Sequence, residues 1–145
     1  MFRILAVCKG NRSRSPMFEA LLQLALQENG RTDVVVESAG TIQEAANHPA
    51  EEGALVAAKR VGLDLSGHVS RWVGDLNLRD FHIIYCMEPS VRDVVREFNL
   101  PPTVRIILVN EEQGGIPNPY QKGQEAYDES LEVIRSVVGK IVRDL

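Results

Sequence analysis

Val7-Cys8-Lys9-Gly10-Asn11-Arg12-Ser13-Arg14-Ser15-Pro16 joins the apolar run Arg3-Ile4-Leu5-Ala6-Val7 to an amphipathic stretch from Met17 to Gln27. The pattern reads as a strand passing through a tight loop into a helix, with Cys8 at the strand end and Arg14 after five intervening residues. Gly10 and Asn11 suit left-handed turns, and such a loop can aim successive backbone N–H groups at one point. The helix that follows adds its positive end there. Lys9, Arg12 and Arg14 bring three cations and no acid occupies the loop, so an oxyanion is expected at Lys9, Gly10, Asn11, Arg12, Ser13 and Arg14. A thiol in such a nest becomes a better nucleophile, because cations and helix N-termini favour the thiolate. Arg14 can offer an anion two parallel N–H bonds, which a lysine cannot. Together these residues point to attack by Cys8 on phosphorus through a phosphocysteine intermediate.

The rest of the chain places that loop. Strand patterns lie at 3–7, 33–37, 82–86 and 104–109, with short β-branched runs such as Val34-Val35-Val36 and Ile106-Ile107-Leu108-Val109. Helical patterns lie between them at about 17–28, 50–61, 72–78, 89–98 and 124–143. Alternation of the two implies an α/β fold, a parallel sheet with right-handed crossovers, flanked by about five helices in three layers. Ligands on such sheets bind beyond the carboxyl ends of the strands, where Cys8 falls.

Composition narrows the class. At 145 residues, 44% hydrophobic and 25% charged, residues 1–145 read as a single domain able to bury a core. No apolar run approaches the roughly 20 residues of a membrane span. Met1-Phe2-Arg3-Ile4 enters a strand directly, so no leader is expected, and two cysteines suit a reducing cytoplasm. A net charge of −4 argues against nucleic-acid binding. The glycines lack both nucleotide-binding fingerprints, so no nucleotide cofactor is implied, and no other cofactor and no metal are expected.

Residues 7–16 closely resemble the phosphate-binding loop of the low-molecular-weight protein tyrosine phosphatases. Glu37-Ser38-Ala39-Gly40-Thr41, Gly67-His68-Val69-Ser70-Arg71, Tyr85-Cys86-Met87-Glu88 and Ile116-Pro117-Asn118-Pro119-Tyr120 follow in the family's order, so the resemblance covers nearly the whole chain. It implies the strand order 2-1-3-4 and a phosphotyrosine protein or small aryl phosphate as substrate, with a cognate tyrosine kinase as a further expectation. Cys8 becomes the nucleophile and Ser15 a hydroxyl donor to its sulfur, although Ser15 also suits an ordinary helix N-cap before Pro16. His68 matches a histidine that braces the loop from behind, and Tyr120 matches an aromatic wall of the cleft. His48 and His82 read as structural.

The sequence departs from the family in three places. Where the family has an aspartate that protonates the leaving group and then activates water, the chain has Asn118. An amide cannot deliver a proton, and general acid–base catalysis is worth roughly 10²–10⁴-fold. A natural weak phosphatase, a phosphate-binding or phosphotyrosine-binding regulator with little turnover, and an engineered trap all remain open. Glu111, Glu112, Glu125 and Asp128 are candidate substitute acids. Secondly, many relatives carry a tryptophan after the Ser-Ala-Gly-Thr motif, whereas the chain has Ile42-Gln43-Glu44-Ala45-Ala46; Trp72, its only tryptophan, falls in the later helical pattern at 72–78 as core or rim. Thirdly, Ser13 replaces a second loop cysteine found in many eukaryotic relatives, and Cys86 reads as a buried apolar residue. An arsenate reductase of the same fold is the runner-up; a thioredoxin-coupled version needs two resolving cysteines, and only Cys86 is left over.

Overall fold

The computed structural model describes all of residues 1–145. Four strands, β1 (Phe2–Cys8), β2 (Val34–Gly40), β3 (Ile83–Cys86) and β4 (Arg105–Leu108), form a parallel sheet in the order β2-β1-β3-β4. Four α-helices cover it: α1 (Arg14–Glu28), α2 (Glu52–Arg60), α3 (Pro89–Arg96) and α4 (Gln124–Asp144). Strand β1 is central and alternates between two cores. Ile4, Ala6 and Cys8 face α1, α2 and α4, while Leu5 and Val7 join Val91 and Val95 of α3 on the other side. A strand buried on both faces needs an unbroken apolar run, which is what residues 4–8 supply. The result is three layers, with no helix long and apolar enough to cross a membrane.

Four α-helices replace the expected five. Residues 72–78 form no α-helix; two 3-10 turns, Val73–Asp75 and Leu78–Asp80, stand there instead. Gly74 lies under the Trp72 indole, and Asn77 caps the second turn by accepting from the Arg79 amide at 3.3 Å. Trp72 thus sits outside any helix, partly buried against the α3-side core. Helix α1 begins earlier than the pattern indicated, with Ser13 as its N-cap, so Ser15 lies in the first turn and is not the cap.

The sheet opens where the chain leaves β1 in one direction for β2 and returns to β3 on its other side. That switch point sets the crevice at the end of β1. Gly40, last residue of β2, packs against the loop that follows Cys8. A Cβ there would stand 2.6 Å from the Lys9 carbonyl oxygen and 3.0 Å from the Asn11 nitrogen. Backbone cannot give way as a side-chain tip can. Gly40→Ala is therefore expected to lose about 1–3 kcal/mol of stability, read as a lower urea midpoint with unchanged slope.

Candidate functional site

The loop from Cys8 to Arg14 is held by a chain of hydrogen bonds whose direction can be read. Asn11 takes the left-handed conformation at φ +56°; Gly10, against expectation, does not, and the turn is made by the asparagine alone. The buried Asn11 amide nitrogen donates to Ser15 Oγ at 2.8 Å and to Ser38 Oγ at 2.9 Å. Ser38 in turn donates to Glu19 at 2.5 Å. An amide nitrogen can only donate, so the Ser15 hydroxyl keeps its own hydrogen for Cys8 Sγ, 3.0 Å away, with the Ala39 carbonyl farther off at 3.5 Å. The Asn11 backbone N–H adds a second donor to the sulfur at 3.2 Å. The sulfur thus has two neighbouring donors, one side-chain hydroxyl and one backbone amide.

Other segments clamp the loop from outside. Asn11 Oδ1 accepts from the Arg71 amide at 2.9 Å. His68 Nε2 lies 2.6 Å from the Asn11 carbonyl oxygen, which can only accept, so that nitrogen carries a proton. Within the loop, the N–H groups of Gly10, Arg12, Ser13 and Arg14 have no acceptor in the protein. Converging amides without acceptors are the makings of an anion nest.

Arg14 is 2% exposed and reaches two distant segments. Its Nη2 meets Glu88 Oε1 at 2.8 Å and its Nη1 donates to the Ile116 carbonyl at 3.0 Å. A guanidinium has five donors, so three remain for a ligand. Lys9 is half exposed and stands 3.8 Å from the same Glu88. The cleft above the loop has a volume of about 270 Å³ and is lined by Cys8, Lys9, Gly10, Arg12, Ser13 and Arg14 on its floor and sides. Ile42, Ala45, Asn118 and Tyr120, the last 54% exposed, also line it. Asn118 Oδ1 accepts from the Tyr120 amide at 3.2 Å, a short side-chain turn that fixes the amide at the cleft.

The four acids weighed as substitutes do not line this cleft. Glu111, Glu112 and Glu125 are exposed, and Asp128 pairs with Arg60 on α2. The carboxylate that does line it is Glu51, which accepts from the hydroxyls of Ser13 and Tyr127. Glu51 and Glu88 are the functional-site residues that sequence reasoning missed. Glu51 carries no local signal; Glu88 follows the end of β3, and the adjacency of β3 to β1 is what brings it to Arg14. Cys86 lies on the opposite face of the sheet from Cys8, and burial pushes its thiol up to about 12. It is no partner for Cys8.

Burial also lifts the Glu19 carboxyl above its ordinary value, opposed in smaller measure by the Ser38 hydrogen bond. The folded protein then holds this proton more tightly than the unfolded chain, so this group's contribution falls as pH rises from 4.5 through the raised value. Glu19→Gln cannot ionise. The stability of the variant relative to wild type is expected to rise across that window and level off above it, as read from urea midpoints at a series of pH values.

Fold and loop together define a class, a small α/β protein with a cysteine sulfur in a cleft beside unpaired backbone amides. The profile of the Low molecular weight phosphotyrosine protein phosphatase family matches residues 3–145. The chain is 35% identical over 129 residues to the low molecular weight protein-tyrosine-phosphatase Etp of Escherichia coli K12, covering 86% of this chain and 82% of that one. Among solved structures, the low molecular weight protein tyrosine phosphatase from T. tengcongensis superposes with a TM-score of 0.90 at 25% identity over the whole of both chains. Vibrio vulnificus Wzb, solved with benzylphosphonate, superposes with a TM-score of 0.84 at 25% identity over 99% of each. The chain belongs to the low-molecular-weight protein tyrosine phosphatase family.

Proposed function

We propose that the protein hydrolyses phosphate monoesters of phenols, phosphotyrosine foremost, through a phosphocysteine on Cys8, with turnover limited by Asn118. The observation that carries this reading is the directed chain Asn11–Ser15–Cys8, which leaves a hydrogen-bond donor on the sulfur at the floor of a nest of free amides. Arg14 and the amides of Gly10 to Arg14 take the phosphoryl oxygens as charge shifts onto them in the transition state. Cys8 Sγ attacks phosphorus and the phenolate leaves toward Asn118 and Tyr120. Water then attacks the phosphocysteine, and the Ser15 hydroxyl stabilises the departing sulfur. His68 and Asn11 keep the loop in shape, and Tyr120 offers a ring for the substrate to stack on, worth on the order of 1 kcal/mol.

At the Asn118 position the amide accepts from the Tyr120 N–H and has no proton to give. Both steps then depend on water for proton transfer, and phenolates, which leave more readily than alkoxides, suffer least. A wall of Ile42 and Ala45 makes the cleft less aromatic and its selectivity broader. An unshielded reactive thiol suits a reducing cytoplasm, where a tyrosine kinase would supply the substrate.

The test is acid quenching during hydrolysis of para-nitrophenyl phosphate, followed by peptide mass spectrometry. Phosphate on Cys8 and release of nitrophenol are expected. Tight binding of phosphotyrosine peptides with neither adduct nor product would make the protein a phosphate-binding regulator. Arsenate-dependent oxidation of an added thiol would make it a reductase.

A further inference from the structure

Two cations in the cleft, Lys9 and Arg12, have no side-chain role in the chemistry above, and of these Arg12 is the one without a carboxylate partner. Arg12 is one of the residues lining the cleft, and its Nε donates to the Pro49 carbonyl at 2.9 Å, which restrains the guanidinium. Its two Nη nitrogens have no hydrogen-bond partner in the protein, and no carboxylate pairs with them. Arg14 is different: both of its Nη nitrogens are tied to Ile116 and Glu88. Lys9 also leans on Glu88. The cleft's own carboxylate, Glu51, is turned to the hydroxyls of Ser13 and Tyr127 and does not neutralise Arg12. In a chain of net charge −4, a fixed guanidinium with free donors beside the cradle is a local reversal of sign.

Resting on the phosphatase reading, we propose that Arg12 is a specificity-determining residue whose free Nη groups receive a second anionic group of the substrate, an acidic side chain adjacent to the phosphotyrosine. The planar fork matches a carboxylate with two parallel N–H bonds. Its tether to Pro49 holds the fork in place before the substrate arrives, so little side-chain freedom is lost on binding. The overall charge of the protein repels acidic peptides, so a preference for them has to come from a local contact.

The experiment compares kcat/KM for two phosphotyrosine peptides that differ only in Glu or Gln beside the phosphotyrosine. Wild type is expected to favour the Glu peptide about tenfold at low salt, shrinking as ionic strength rises. In Arg12→Gln the ratio is expected to fall to one or below, and in Arg12→Lys, which keeps charge but loses the fork, to lie between. A ratio near one in wild type overturns the proposal. So does a preference that survives Arg12→Gln, which would assign it to Lys9. Hydrolysis of para-nitrophenyl phosphate by wild type, measured alongside, tests the parent reading separately. Should wild type not turn over, the same peptide ratio is read from equilibrium binding, with the same two outcomes deciding for or against Arg12.

Discussion

Asn118→Asp is expected to raise kcat for phenyl phosphate by about 10²–10⁴-fold, the usual worth of a positioned general acid and base. The structure is ready to accept the change. One carboxylate oxygen can take over the hydrogen bond from the Tyr120 amide, now made to Asn118 Oδ1 at 3.2 Å, and the second oxygen replaces the amide nitrogen at the cleft. The gain should be larger for phenyl phosphate than for para-nitrophenyl phosphate, because the nitrophenolate departs without help. A bell-shaped pH dependence of kcat should appear with the aspartate, since it must be protonated for one step and ionised for the next. Unchanged kcat with both substrates would mean that another group already supplies the proton. Glu51, as the carboxylate lining the cleft, would then be the residue to replace by glutamine.

Cys8→Ser should remove turnover by about 10⁴-fold or more, the scale seen when a nucleophile is deleted from a site that otherwise stays intact. A hydroxyl at this position is a far weaker nucleophile than the sulfur, which now lies 3.0 Å from Ser15 Oγ and 3.2 Å from the Asn11 amide. The anion nest does not depend on that atom. Arg14 and the free amides of the loop remain, so inorganic phosphate should bind the variant at least as well as wild type, by titration calorimetry. Loss of both turnover and phosphate binding would show that the substitution had deformed the loop. Retention of turnover would remove Cys8 from the mechanism.

The strand–loop–helix unit at residues 3–27 was legible because its meaning is local. A buried strand, a turn-forming asparagine, cations without acids and a helix start all fall within one stretch of chain. The sheet was legible for a related reason, since β1 and β3 need uninterrupted apolar runs. The pattern at 72–78 misled because Trp72, Val73 and Leu76 recur at a helical spacing while Gly74 and Asn77 decide the backbone. Gly74 leaves room for the Trp72 indole, and Asn77 offers its side chain to the backbone in place of a helical turn. Among the acids, nearness along the chain was a poor guide. Glu111 and Glu125 are close to Asn118 in sequence but exposed, whereas Glu51, more than sixty positions away, enters the cleft because α2 packs beside α4. Glu88 is set by strand order, which periodicity alone does not fix.

The bridge that Arg14 makes from α1 to Glu88 and Ile116 ties the anion site to the segment carrying Asn118 and Tyr120. On the proposed reading, one guanidinium is both the receptor for a phosphoryl group and a tie to the cleft's mouth. Occupancy of the floor should then be felt at the entrance, and a contact that shifts the entrance should alter how firmly the floor holds its guest. Affinity and access would not then be separately adjustable.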